Sequence, residues 1–141
     1  MGAGLEDATM AEHPNVTLVR RAMQAMNEQD LSKADEEMTV VDAFMADDIV
    51  WHEIGRAEPR RGKDELRAAM MDGARDSTIR YAVHDDIAND DHAIALGTAT
   101  ATRGGKTLEY RTAEIFHIRD GRAVERWAFS DDTAAIVAFF A

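Results

Sequence analysis

A chain of 141 residues is sized for one domain with a real core, and 45% apolar with 30% charged residues marks it as folded rather than disordered. The formal charge of −11, with no basic stripe to offset it, argues against nucleic acid and anionic membrane as partners. The absence of cysteine removes disulfides, thiolate chemistry and Cys-ligated zinc, and no apolar run approaches the roughly 20 residues of a membrane span.

The opening MGAGLEDATMAEHP lacks the basic and apolar regions of a signal peptide, which sets the expectation of a cytoplasmic protein. Residues 1–12 read as a loose tail and 13–141 as the single domain. Val16, Val19, Ala22, Met23 and Met26 then recur at helical spacing, with Asn15 as a candidate cap. Ser32 can cap a second helix, in which Met38, Val41, Phe44 and Met45 form the apolar stripe. The acidic run Asp35-Glu36-Glu37 suits its positive N-terminal end. DDIVWHEIG reads as a short strand and RAEPRRG as a loop. Lys63 to Ala74 forms a third helix with Leu66, Ala69 and Met70 inward. Four strand-like runs follow, at about 78–88, 92–103, 106–119 and 122–130. They are separated by Asn89-Asp90-Asp91, Gly104-Gly105 and Asp120-Gly121, all of which are turn chemistry. DDTAAIVAFFA closes the sequence as a short capped helix. Helices first and consecutive hairpins after them predict an α+β domain with a curved antiparallel sheet.

Familiar catalytic signatures fail. His52-Glu53 begins like a zinc-protease helix, but Arg56 stands where the second histidine belongs. The five histidines, at positions 13, 52, 84, 92 and 117, show no ligand spacing, so no metal is expected. What remains is a pair of glutamates on apolar faces. In IVWHEI, Glu53 shares its side with Trp51 and Ile49 while His52 points away. In EIFHIRDGRAVERWAF, Asp120-Gly121 makes a two-residue hairpin turn with positive φ at both centres. An unbroken register then sets Phe116 opposite Glu125 and Glu114 opposite Trp127. Tyr110, Glu114, Phe116, Trp127 and Phe129 would share one face, with Arg111, His117, Arg119 and Arg126 on the other. Glu53 and Glu114, each beside a tryptophan, are either solvated at a sheet rim or a functional pair of carboxyls in different environments.

The order of elements, with FMADDIVWHEIG…EPRRG after two helices and EIFHIRDGRAVERWAF near the end, resembles the nuclear transport factor 2-like superfamily. Its SnoaL-like polyketide cyclase and ketosteroid isomerase branches look most similar. The resemblance implies a cone-shaped barrel in which a strongly bent antiparallel sheet wraps the N-terminal helices around one deep apolar pocket. It also implies a sheet-to-sheet homodimer, an apolar small-molecule ligand and no cofactor. DDIVWHEIGRAEPRRG aligns without a gap to the isomerase segment carrying the proton-moving aspartate, which puts Glu53 at that position. An aspartate early in the penultimate strand falls on Glu114; in isomerases it is a protonated enolate donor and in cyclases an acid/base. Both positions carry glutamate here, the isomerase tyrosine matches Ala22, and Arg111 and Ala113 do not form the Arg-x-Asp pair of the epoxide-opening branch. Two functions are expected on these grounds. One is a small enzyme moving a proton beside a carbonyl, by isomerisation or aldol cyclisation, on a polycyclic or polyketide-like substrate, with Glu53 and Glu114 catalytic and Trp51, Tyr110, Phe116, Trp127 and Phe129 lining the pocket. The other is a non-catalytic ligand-binding or dimerisation module.

Overall fold

The computed structural model describes residues 12–27 and 41–141. Helix α1 spans Pro14–Asn27, and residues 41–44 are helical and lead into strand β1, Met45–His52. Strand β2, Arg60–Arg61, is followed by α2, Lys63–Gly73. The strands β3, Ser77–Ala88, β4, His92–Arg103, β5, Lys106–Arg119, and β6, Arg122–Ser130, then run without interruption into α3, Thr133–Phe140. No helix among the described residues is long and apolar enough to cross a membrane.

The six strands form one sheet in the order β2-β1-β6-β5-β4-β3. Neighbours pair antiparallel except β1 and β6, which run parallel. The result is the expected α+β fold, its curved sheet folded over the helices. The three long hairpins sit where the turn residues place them. Asp120 and Gly121 take φ of 54° and 75°, the positive pair that a two-residue turn between right-twisted strands requires. Two local readings change. Arg60 and Arg61 lie in strand, paired to Trp51 and Val50, where a loop is expected from the sequence. Met45 opens β1 and does not close a helix stripe.

Asn15 is not a cap. Pro14 opens α1, where its missing N–H costs nothing, and the His13 side chain accepts from the Asn15 N–H through Nδ1 at 3.1 Å. Asn15 is instead buried, and its amide donates to the carbonyls of Asn89 and Asp90, tying the start of α1 to the β3–β4 turn. The Ser32 cap and the acidic run 35–37 lie outside the described residues.

The inner face of β4 explains how the sheet encloses space. Its buried positions are Ala93, Ala95, Gly97, Ala99 and Ala101, so the centre of the concave face carries almost no side-chain bulk. At Gly97 even a methyl group is excluded. A Cβ there would lie 2.4 Å from the Ala82 carbonyl oxygen, beside the register shift between Val83 and Asp85. Val19, Ala22 and Met23 of α1 pack over one half of this face, with Phe44, Ile49, Leu66, Phe116 and Ile118. Ile136 of α3 packs on Ala99, Ala101 and Tyr110 over the other. Between the two packed regions the concave face stays open.

Candidate active site

The opening is a cavity of about 540 Å³, within the range of small-molecule sites. Most of its wall is apolar. Met26 of α1, Ala69 and Met70 of α2, Ile54 and Ile79, and Ile136, Val137 and Phe140 of α3 all contribute. Polar side chains line the rest, Arg56, Ser77, Thr78 and Arg80 among them, together with the two glutamates singled out in the sequence, Glu53 and Glu114.

Glu114 points inward from β5, as alternation predicts, and is 2% exposed. Its neighbour is not the predicted one. Past the turn, Ile118 pairs with Ala123 but His117 pairs with Glu125, so Val124 is an extra residue and β6 bulges. Every residue beyond it changes face. Ile115, not Glu114, stands opposite Trp127, and Ala113 stands opposite Phe129. The expectation that Trp127 and Phe129 line the pocket is therefore corrected. Trp127 lies on the outer face, its ring stacked on His52 at 5.5 Å, and Phe129 is 55% exposed. Both border a separate outer hollow of about 230 Å³ with Ser130 and Thr133.

The same bulge turns Arg126 inward, where an unbroken register would place it outside. Its Nε and Nη2 donate to Glu114 Oε2 at 3.3 and 3.1 Å, with both side chains buried. The Thr112 hydroxyl reaches Glu114 Oε1 at 3.5 Å. The guanidinium lies over the rings of Trp51 and Phe116, at 5.1 and 5.5 Å from their centres. Phe116, expected in the pocket wall, is not among the cavity-lining residues and supports the site from the core instead, packed edge-on to Phe44. Burial works to lower the Arg126 pKa, but Glu114 and Tyr81 outweigh it and hold the guanidinium above its ordinary value. Arg126 stays charged.

Two tyrosines complete this polar floor. Burial pushes the Tyr110 phenol up to about 12, the Glu114 charge adding to the effect and Arg126 opposing it. Tyr81, on β3, is pushed up by burial first and then by the Glu114 charge, with Arg126 opposing. Both therefore stand as neutral O–H donors at physiological pH. The Tyr110 hydroxyl has no hydrogen-bond partner among the described residues and is not among their sealed, unpartnered polar atoms, so it opens on the cavity. The guanidinium likewise keeps N–H groups beyond the two that Glu114 uses.

Glu53 follows directly on β1, sharing the cavity wall with Trp51 as predicted. Its Oε2 accepts from Arg60 Nε at 2.9 Å, and its side chain keeps about a third of its surface exposed. Arg60 comes from the two-residue strand β2, opposite Trp51. His52 points the other way and bonds Glu125 at 2.7 Å. Sequence reasoning missed Arg126, Tyr81 and Arg60. One signal pointed to the first of them: a lone carboxylate on an apolar face is costly without a counter-charge, and Arg126 is the nearest cation one bulge away.

The description of a SnoaL-like domain matches residues 19–126 of the chain. The uncharacterized protein Rv0034 of Mycobacterium tuberculosis is 30% identical over 135 residues, which cover 94% of this chain and all of the relative. Among solved structures, Bal32a, from a soil-derived mobile gene cassette, superposes with a TM-score of 0.78 at 23% identity, covering 90% of this chain and 96% of its own. A putative polyketide cyclase from Pseudomonas putida KT2440 gives 0.71 at 19% identity, covering 84% and 92%. At those identities the two structures show the fold alone. Over three-quarters of its length, from the middle of α1 to the buried arginine of β6, the chain belongs to the SnoaL-like domain family of the nuclear transport factor 2-like superfamily.

Proposed function

We propose that this cavity binds an apolar, polycyclic or polyketide-like carbonyl compound and moves a proton on the carbon beside the carbonyl, without a cofactor. The observation that carries this reading is the pairing of two unlike polar stations in one apolar cavity. On one side stands a carboxylate, Glu53, with one oxygen unengaged among the described residues. On the other stands a set of fixed donors, Arg126 and Tyr110 with Tyr81 beside them. Such an arrangement suits charge that develops on oxygen while a proton leaves carbon.

In the proposed step Glu53 takes the α-proton and the C–H electron pair moves into the carbonyl, whose oxygen becomes an enolate. Arg126 N–H and Tyr110 O–H meet that oxygen. The proton on Glu53 then returns to a different carbon, which is an isomerisation, or the enolate carbon attacks a second carbonyl of the same molecule, whose oxygen takes up the electron pair and then the proton from Glu53, which is an aldol closure. Glu114 has a different part from the neutral donor that the family resemblance implies. Paired with Arg126, it is the carboxylate that fixes the donor guanidinium in place. Family membership and the fold shared with a putative polyketide cyclase support the substrate class. The apolar outer face of the sheet supports a homodimer.

One observation favours a second reading, a ligand-binding module without catalysis: Arg60 already holds one Glu53 oxygen in an ion pair. Exchange of the α-protons of 2-tetralone in D₂O separates the two. An enzyme accelerates exchange saturably; a module binds the ketone, seen as quenching of Trp51, and leaves the exchange rate at that of buffer.

A further inference from the structure

Strand β3 is an edge of the sheet, so the outward N–H and C=O groups of its backbone have no strand to pair with. At Tyr81 they are nevertheless both satisfied. Asn27, the last residue of α1, accepts from the Tyr81 N–H through Oδ1 at 2.7 Å and donates to the Tyr81 C=O through Nδ2 at 2.7 Å. One primary amide thus does what a paired strand would do, at one residue only. The neighbouring Arg80 also donates to the Asn27 carbonyl, so the end of α1 and this point of β3 are held from both sides.

The residue so held is the one whose side chain projects into the polar floor. Register sets Tyr81, Ala99 and Tyr110 in one row across the concave face, and Tyr81 lines the cavity together with Glu114 and Arg126; its neighbours on the strand make the location sensitive. The register of β3 shifts between Val83 and Asp85, two residues on, so the strand is locally irregular and pairing with β4 alone leaves its path underdetermined. We infer that Asn27 is a positioning residue of the site, whose side-chain amide fixes the Tyr81 backbone and so holds the Tyr81 hydroxyl against the Arg126–Glu114 pair. The role in catalysis rests on the proton-transfer reading; the positioning does not.

A tie between a helix and a sheet edge could serve stability alone, and α1 supplies the control. At its other end Asn15 makes the same kind of tie, amide to backbone carbonyls, far from the cavity. The measurement is the Nε–H resonance of Arg126 in ¹⁵N-labelled protein at neutral pH, assigned by its loss in Arg126→Lys, and it needs neither substrate nor activity. Tyr81→Phe is expected to move this resonance. Asn27→Ala should move it in the same direction, and the double variant should look like Tyr81→Phe alone, because the two act through one hydroxyl. Asn15→Ala should lower the unfolding temperature and leave the resonance in place. Asn27→Asp keeps the volume and the acceptor but loses the donor to the Tyr81 carbonyl, and it carries the same expectation should the alanine variant not fold. An unmoved resonance in both Asn27 variants, an equal displacement in Asn15→Ala, or additive displacements in the double variant would overturn the assignment. Loss of ketone exchange in Glu53→Gln bears on the reaction alone and leaves this test intact.

Discussion

Glu114 meets Arg126 because Val124 is left over between their strands: with Ile118 on Ala123 and His117 on Glu125, the guanidinium arrives on the concave face 3.1 Å from the carboxylate. A single extra residue thus replaces an aromatic pair by an ion pair at the floor of the cavity. It also exchanges Trp127 and Phe129 for Arg126 and Ala128 on the inside.

Such a pair is stable only while both members are present. Arg126→Met leaves a buried carboxylate with no counter-charge and should cost about 3–5 kcal/mol in urea unfolding. Replacing both members by methionine should recover most of that loss, since two apolar side chains of similar volume remove the need for compensation. A single variant that costs less than about 1 kcal/mol would show that water reaches the pair, contrary to its burial.

The elements were legible in the sequence wherever turn chemistry bounded them. Asn89-Asp90-Asp91, Gly104-Gly105 and Asp120-Gly121 fixed β4, β5 and β6 to the residue, because Gly, Asn and Asp are selected by backbone geometry at those points. Faces were legible only up to the first irregularity. Alternation gives the direction of Glu114, Phe116 and Tyr110 in the unbroken β5, and of Glu53 after β1. It has no means of counting a bulged residue, so it inverts Trp127, Phe129 and Arg126. Tyr81 and Arg60 escaped for another reason. Their importance comes from which strands lie near one another in space, and neither the edge position of β3 nor a two-residue strand leaves a periodic trace.

The tyrosines predict an alkaline limit to stability. A phenol whose folded pKa is raised to about 12 keeps its proton in the native state after unfolded tyrosine, near 10, has lost its own. Between those values the native state binds more protons, so stability must fall as pH rises. The Tyr110 contribution is complete below about pH 10 and is lost progressively up to about 12. Denaturation midpoints measured from pH 9 upward should decline, and the decline should be shallower in Tyr110→Phe. Equal slopes would place Tyr110 in contact with bulk water.

The outer face predicts association. Register sets Ile94, Ile115, Trp127 and His52 side by side across four strands, with Leu96, Ala113 and Phe129 in the next row. Ala128, which an unbroken register would put on this outer face beside Ile115, faces the cavity instead. A contiguous apolar strip of this kind on a sheet is normally covered. Light scattering at micromolar concentration should return twice the chain mass of 15.6 kDa, and Ile115→Glu should return the single mass. A wild-type monomer would leave the strip to some other partner.

The two glutamates should separate cleanly in their effects on the same reaction. Glu53 is partly exposed and held by one arginine, so removing its charge disturbs little else. Glu53→Gln should keep wild-type stability and ketone affinity while lowering exchange turnover by roughly 10²–10⁴-fold, the usual worth of a positioned base. Glu114→Gln takes the anion from a buried guanidinium, so its cost should fall first on stability and on the placement of the donors. With Arg126 displaced, both affinity and turnover for the ketone should drop. Tyr110→Phe, which removes one open donor without touching the pair, should lower turnover by about 10-fold or more and leave unfolding at pH 7 nearly unchanged. If Glu53→Gln exchanges as fast as wild type while Glu114→Gln is inactive yet folded, the base is Glu114, and Arg126 serves it as a partner instead of serving the enolate as a donor.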